Sequence, residues 1–288
     1  MSVYCVVIPI YNDWEKLLVN IEIYQSLIEK HRGEIEFVLV DNGSRYIPSD
    51  SRLSDFVLLK CEKPGSYSAR NFALTKLLQD YKYFIFTDAD CKPDICWLTN
   101  IFRRCSDDNV QLLAGGVAMY SMSTRPNFVE SYDLILGLPQ KKYVSRGYAV
   151  TANLTISRDV FLSIGFFDDS RFSGGDAEFC QRAGSAGFKL EYEESALIYH
   201  PARIEFREII RKVRRVAGGQ TGSGSLKRRL NFFMKIVFSP VREFYFIFKS
   251  GGYYGWKVKL KATAVVFVLW PFRTFESIKA FVSSARVR

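Results

Sequence analysis

Histidine is scarce in this chain, with two in 288 residues, and methionine follows with four. The six cysteines are Cys5, Cys61, Cys91, Cys96, Cys105 and Cys180. They form no CxxC pair, and neither His31 nor His200 joins them in a zinc-like spacing, so a structural zinc site is not expected. Long apolar runs are also missing. The longest charge-free run beyond Pro201 covers residues 262–272, eleven positions, and Pro271 interrupts it. A bilayer-spanning helix needs ~20 apolar residues, so no transmembrane helix is predicted. The opening "MSVYCVVIPIYN" has no basic n-region and reads as a first strand rather than a signal peptide. Reduced thiols and a cytoplasmic location are the resulting expectations. No internal repeat is found.

What is present is apolar material, 48% hydrophobic and 15% aromatic, enough for one substantial core and a smaller appendage. The formal charge of +10 is unevenly spread: from Pro201 onward there are 19 Lys/Arg against 4 Asp/Glu, and before it 21 against 26. A mildly acidic first part is joined to a strongly basic tail.

"YCVVIPI" predicts a first strand, and "YNDWEKLLVNIEIYQSLIEK" has helical spacing with Asn12 or Asp13 as its N-cap. "IEFVLVDNGS" and "FVLLKC" predict two more strands, "ARNFALTKLLQDY" a helix, and "KYFIFTDADC" a fourth strand. Strands alternating with helices imply right-handed crossovers and a mostly parallel sheet covered on both faces. Ligands bind such sheets beyond the carboxyl ends of the strands, where Pro9, Tyr11, Asp41, Asp88 and Asp90 all fall. "QLLAGGVAMY", "AVTANLTISRDVFLSIGFFDD", "FSGGDAEFCQRAGSAGF" and "KLEYEESALIYH" then predict a strand, a strand-turn-helix, a loop with helix, and a closing strand. "REIIRKVRRVAGGQ" is a basic helix expected to break at Gly218-Gly219, with "QTGSGS" a flexible stretch after it.

Asp88 and Asp90 lie two apart in an extended segment and can share a target. Carboxylates that close repel unless a cation or proton lies between them. Hard oxygen ligands suit Mg2+ or Mn2+, which are often held by one or two carboxylates plus substrate phosphates. The plain alternative is a solvated turn capping the next helix. In "GGDAEFCQR" Asp176 and Glu178 open a helix, which is either ordinary first-turn capping or the delivery of Asp176 to a pocket as a general base. Spacing does not decide between these.

The segments "VVIPIYN", "VLVDNGS", "SARNFAL", "FTDAD", "TANLTISRDVFLSIGFFDD" and "GGDAEFCQRAGSAGF" together resemble, in order and approximate spacing, the inverting family 2 glycosyltransferases of the GT-A fold, of bacterial polysaccharide or glycolipid type. The resemblance covers residues 1–200 and implies a catalytic domain there, with a basic amphipathic helical region over 201–288. It implies that Asp88 lies near ribose and diphosphate and that Asp90 binds the metal. By the same resemblance Pro9, Tyr11 and Asp41 embrace the nucleoside, and Arg70 lies near the diphosphate. Asn153 lines the donor-acceptor cleft, Asp176 is the catalytic base, and His200 is a third metal ligand where it is not simply structural. One departure stands out: the acid that ordinarily precedes the base is Gly175 here, which puts any acceptor contact of that acid in doubt. Glu178 could compensate, although on a helix it should point away from Asp176. The implied reaction transfers a sugar, with a UDP-sugar as the foremost donor, to a glycan or lipid-linked acceptor hydroxyl.

In the tail, "RIEFREIIRKVRRV", "LKRRLNFFMKIVF" and "WKVKLKATAVVFVLWPFRTFESIKAFV" mix basic, aromatic and aliphatic residues. Packing on the catalytic domain, a peripheral anionic membrane surface at the inner face of the cell membrane, and nucleic-acid binding are the readings available. No nucleic-acid module is recognisable, and the membrane surface is the expectation. Two other classes compete with this reading. A nucleotide-sugar-forming nucleotidyltransferase would carry a Gly-rich basic signature near the first strand, which "IPIYNDWEKL" lacks; a non-catalytic scaffold would not need Asp88, Asp90 and Asp176 together.

Overall fold

The computed structural model describes residues 3–106, 109–171, 173–221, 226–249 and 253–285. In chain order the elements are β1 (Tyr4–Ile10), α1 (Trp14–Val19), α2 (Ile21–Lys30), β2 (Ile35–Asp41), β3 (Val57–Lys60), α3 (Ser66–Leu77) and β4 (Tyr83–Thr87). Next come β5 (Lys92–Pro93), α4 (Trp97–Cys105), β6 (Leu112–Tyr120), α5 (Phe128–Leu136), α6 (Gln140–Val144), β7 (Asn153–Ser157) and α7 (Arg158–Ile164). The chain continues through α8 (Gly175–Ser185), β8 (Leu190–Pro201), α9 (Phe206–Thr221), α10 (Leu226–Val237), α11 (Ser239–Lys249) and α12 (Trp256–Ala285).

The strands form one sheet in the order β3-β2-β1-β4-β7-β6-β8-β5. Its first half, β3-β2-β1-β4, is parallel, as the alternation of strands and helices predicts. The second half differs: β7 runs antiparallel to β4 and to β6, and β5 antiparallel to β8, so the sheet is mixed. The chain steps from β1 outward to β2 and β3, then returns to place β4 on the other side of β1. That reversal makes a switch point between β1 and β4, where the loops leaving neighbouring strands diverge and open a crevice. β1, β2 and β4 are apolar almost throughout because both faces are covered; Val6, Val7, Val38, Phe84 and Phe86 are fully buried.

The expected helix over residues 12–30 is two helices, interrupted at the buried Asn20. The basic helix α9 does not stop at Gly218-Gly219 but continues to Thr221. Two glycines cost a helix about 1 kcal/mol each relative to alanine, and α9 is held by packing through Ile209 and Ala217. The flexible stretch expected next includes residues 222–225, which lie outside the described residues.

The chain divides into two compact units. One comprises Met1–Ala118, Pro139–Ser170 and Gly175–His200; the other comprises Met119–Leu138, Arg171–Gly174 and Pro201–Arg288. Residues 119–138 belong to the same compact unit as the tail. The reason is apolar. In α5, Val129 packs with Ile209, Val265 and Leu269, and Ile135 with Ile247, Ala262 and Val266.

This second unit also buries charge. Asp133 on α5 has no exposed surface and accepts two hydrogen bonds from Arg203 Nη1, at 2.8 and 3.1 Å. It takes a third from the Arg203 amide and lies 3.6 Å from Lys212 Nζ, whose pKa burial pulls down to about 8. Removing one member of such a cluster strands the others. Asp133→Ala is expected to destabilise the chain by about 3 kcal/mol or more, read from urea unfolding followed by circular dichroism.

Candidate functional site

The turn after β4 places the paired acids. Thr87 is the last strand residue, Ala89 is buried, and the Cys91 amide donates to the Asp88 carbonyl at 3.1 Å. Tyr24 of α2 donates its hydroxyl proton to the Cys91 carbonyl at 2.9 Å and fixes the turn from below. The short β5 then pairs with β8 in the register Lys92↔Tyr199 and Pro93↔Ile198. This pairing delivers the next β8 residue, His200, to Asp90, with Nε2 3.6 Å from Oδ1. Ligand atoms of Asp88, Asp90, Cys91 and His200 all lie within 4.8 Å of one another.

The chemistry of this donor set fits a hard divalent cation. Burial, followed by the charge of Asp88, pushes the Asp90 carboxyl up from the usual carboxylate range, while His200 partly offsets that rise. A carboxylate so placed binds either a proton or a cation. Cys91 does not belong in the set. Burial raises its thiol well above the ordinary value, and a protonated thiol is a poor ligand for an oxygen-seeking ion.

Arg70 is the counter-charge. It projects from α3, is 2% exposed, and its Nη2 donates to Asp88 Oδ1 at 2.6 Å. Its Nε is buried and has no hydrogen-bond partner among the described residues.

Asp176 opens α8. Tyr67, one turn before Arg70 on the same face of α3, meets it twice. The Tyr67 hydroxyl donates to Asp176 Oδ1 and accepts from the Asp176 amide, both at 3.2 Å. Asp176 Oδ1 also accepts from the Ala177 amide at 2.9 Å. Burial raises the Asp176 pKa above its ordinary value against the opposing pull of that amide, Arg70 and Tyr67.

Gly175 explains the departure noted in the sequence. A β-carbon there would meet the Tyr67 ring at 2.8–3.0 Å. The ring stacks on Phe167 at 5.8 Å between centroids, and Asn71 holds that segment by donating to the Phe167 carbonyl and accepting from its amide, at 2.8 and 3.1 Å. Glu178 does not compensate for the missing acid. It pairs with Arg182 at 2.9 Å, and Arg182 in turn donates to the carbonyls of Ile164 and Phe166.

The remaining predicted residues divide. Pro9 is half-buried at the end of β1 and Tyr11, just beyond it, is 63% exposed. The register Ile10↔Asp41 sets them beside the end of β2. Asp41 is buried; its Oδ1 accepts from Trp14 Nε1 at 3.0 Å, and its Oδ2 from the Gly43 and Ser44 amides at 3.2 Å. Asn153 lies opposite Thr87 in the β4–β7 register, one residue before Asp88, and its side chain bonds the scaffold. Its Nδ2 donates to the Gly116 and Ala196 carbonyls, both at 2.8 Å, and its Oδ1 accepts from Trp97 Nε1 at 3.0 Å. It ties β6, β8 and α4 together, and a β-carbon on Gly115 would strike it at 2.2 Å. Its amide protons are spent on the scaffold.

Two residues were missed. Asn42 is buried; it donates to the Cys61 and Lys63 carbonyls and accepts from the Gly65 amide at 2.7 Å, shaping the loop into α3. Tyr67 stands inside "GSYSARNFAL", and no spacing rule marks it. The adjacent glycines before Asp176 were its one sequence signal.

The end of this α/β sheet thus gathers carboxylates, an imidazole and a buried guanidinium, a donor set that could hold a cation. The chain matches Glycosyl transferase family 2 over residues 5–165. It is 31% identical over 228 residues to glycosyltransferase AglE of Haloferax volcanii, covering 75% of this chain and 72% of that protein. It is 28% identical over 221 residues to the pre-mycofactocin glycosyltransferase of Mycobacterium tuberculosis, covering 71% of this chain but 44% of that one. Among solved structures, the mannosyltransferase PcManGT of Pyrobaculum calidifontis, in complex with GDP-Man and Mn2+, aligns with a TM-score of 0.54 at 16% identity, over 99% of this chain and 86% of that one. GalNAc-T7 with UDP, GalNAc and Mn2+ aligns with a TM-score of 0.53 at 17% identity, over 75% and 48%. The chain belongs to glycosyl transferase family 2 and is a nucleotide-sugar glycosyltransferase with the GT-A fold.

Because the folded-state pKa of Asp176 lies above the unfolded value, ionising it costs stability, and the cost grows as pH rises from the ordinary carboxylate range through the raised value. Asp176→Asn is therefore expected to raise Tm at pH 8 and to lose that gain toward pH 4, measured by differential scanning fluorimetry.

Proposed function

We propose that this enzyme transfers a sugar, with inversion and with help from Mn2+ or Mg2+, from a nucleoside-diphosphate donor to an acceptor hydroxyl. UDP-sugar is the foremost donor expected. The two solved neighbours are complexes with UDP and with GDP-Man, so both nucleotides belong in the test. The acceptor is proposed to be a glycan or a lipid-linked glycan precursor.

One observation carries the reading: Asp88, Asp90 and His200 converge beside a buried arginine whose Nε has no partner among the described residues. Arg70 neutralises one of the two carboxylates. A single negative charge is left, which a divalent cation exceeds by one, so a diphosphate is attracted rather than repelled. Asp90, Asp88 and His200 would hold that cation, and when bound it supplies charge stabilisation to the departing diphosphate. Arg70 sets its positive charge beside the same leaving group.

Asp176 accepts the proton from the attacking hydroxyl as general base. Its environment supports that role. Burial lifts its proton affinity, while the Tyr67 hydroxyl, the Ala177 amide and Arg70 keep the carboxylate within reach of ionisation. With base and leaving group on opposite faces of the sugar, displacement takes one step. Pro9 and Tyr11 at the end of β1, with Asp41 behind them, are proposed to cradle the nucleoside. Asp41 does so indirectly, since its oxygens already hold the Trp14 indole and the loop over Gly43 and Ser44.

Incubation with a panel of nucleotide sugars and Mn2+, followed by detection of free nucleoside diphosphate, tests the reaction; release with no donor would count against it. Asp176→Asn should lower kcat by about 10²–10⁴-fold while nucleotide binding, read by thermal shift, stays unchanged. Tyr67→Phe removes a hydrogen bond that holds the Asp176 pKa down. The acid limb of its kcat–pH profile is therefore expected to move to higher pH. An unmoved limb would assign Tyr67 to packing alone.

A further inference from the structure

Three consecutive helices of the second unit each leave an apolar row uncovered. Along α10, Leu226, Leu230 and Met234 are exposed at four-residue steps, and Phe238 extends the row just past the helix. Along α11 the exposed residues are Val241, Phe244, Tyr245 and Phe248, again one helical face. Along α12, Trp256, Leu260, Phe267, Phe275 and Ile278 do the same.

The α12 row is the most informative. Its buried face is Ala262, Val265, Val266 and Leu269, which packs against α5, α9 and α11 residues. At about 100° per residue, the exposed row lies roughly opposite that face. A helix with apolar residues on both sides has a covering on both sides. One is the core of the unit, and the other is not among the described residues. α12 does not cross a bilayer, since no described helix is long and apolar enough to do so.

Charge identifies the covering. Lys227, Lys235, Arg242, Lys249, Lys257 and Lys279 are exposed on the same three helices. Within residues 226–285 the only acids are Glu243 and Glu276, and both are paired, with Arg273 at 2.7 Å and Arg214 at 3.0 Å. A second copy of this chain would bring the same positive charge to the contact and be repelled. A nucleic acid would satisfy the lysines but leave the exposed Phe, Leu and Trp side chains against phosphate and water. An apolar phase edged with negative charge satisfies both sets.

We propose that the uncovered faces of α10, α11 and α12 lie in the interface of a bilayer carrying anionic headgroups. The apolar rows enter the acyl boundary, and the lysines reach the headgroups along their own methylene stems. The inference is independent of the reaction proposed above, because its test reads binding and not turnover.

The full chain is mixed with vesicles of phosphatidylcholine alone, or of phosphatidylcholine with phosphatidylglycerol, and floated on a density gradient. It is expected to float with the anionic vesicles, to partition into them at least about tenfold better than into neutral ones, and to lose that preference in high salt. The triple variant Phe244→Ser, Phe248→Ser, Phe267→Ser should lower partitioning by about tenfold or more with an unchanged circular dichroism spectrum. The double variant Lys235→Glu, Lys249→Glu should weaken binding to anionic vesicles and leave binding to neutral ones as it was. The proposal is overturned if the wild-type chain stays at the bottom of both gradients, or if the folded triple variant floats like wild type. A dimer seen by light scattering that the triple variant abolishes would also overturn it, assigning the face to self-association.

Discussion

One face of α3 grips both halves of the site. Arg70 reaches Asp88 at the end of β4, and Tyr67, one helical turn earlier, reaches Asp176 at the start of α8. The two acids belong to segments far apart in the chain, and neither would stay in place alone. Ligand atoms of Asp88 and Asp90 lie within 4.8 Å, where two full charges repel by roughly 3 kcal/mol at an effective dielectric of about 20. The buried guanidinium removes most of that cost. A helix is suited to this work because residues three apart share a face and move as one body. The helix is itself placed by Asn42, which holds the loop ahead of it, and by Asn71, which holds the segment behind Asp176.

The exchange at Gly175 follows from the same geometry. An acidic side chain before Asp176 would need the volume that the Tyr67 ring fills. This chain has instead placed a phenol against Asp176, and burial raises the Tyr67 pKa so that it stays protonated. A permanently neutral donor lowers the carboxyl pKa without adding a second negative charge beside it. A neighbouring acid would have raised it, so the substitution leaves Asp176 more readily ionised than an acid pair would at the same degree of burial.

Much of this was legible in the sequence, for physical reasons. Strand ends read clearly because β1, β2 and β4 are covered on both sides and stop at polar residues, so Asp41, Asp88 and Asp90 announced themselves. His200 drew notice because the predicted strand "KLEYEESALIYH" ended on it, whereas β8 runs one residue further. What failed to read was whatever depends on a partner distant in the chain. Asn153 looks identical in sequence whether or not it bonds three scaffold groups, and only the closeness of β6, β8 and Trp97 decides. The ring of Tyr67 was silent because its counterpart is an absence, the missing side chain of Gly175. The insertion of residues 119–138 into the tail unit was hidden likewise. Val129 and Ile135 would serve equally well in any apolar core, and the residues that claim them lie beyond position 208.

The tail repeats this logic with the opposite outcome. A helix whose two faces are both apolar cannot be read from periodicity, because the rows on its two sides overlap in sequence into an unpatterned run. In the folded chain the two rows are distinct. Ala262, Val265, Val266 and Leu269 are buried, while Phe267 and Leu260 stand 55% and 50% exposed. Apolar area left open costs about 25 cal/mol per Å², and the proposed interfacial placement would cover it. The run over 262–272 is too short to span a bilayer yet too apolar for a solvated face, and a helix lying along an interface meets both limits.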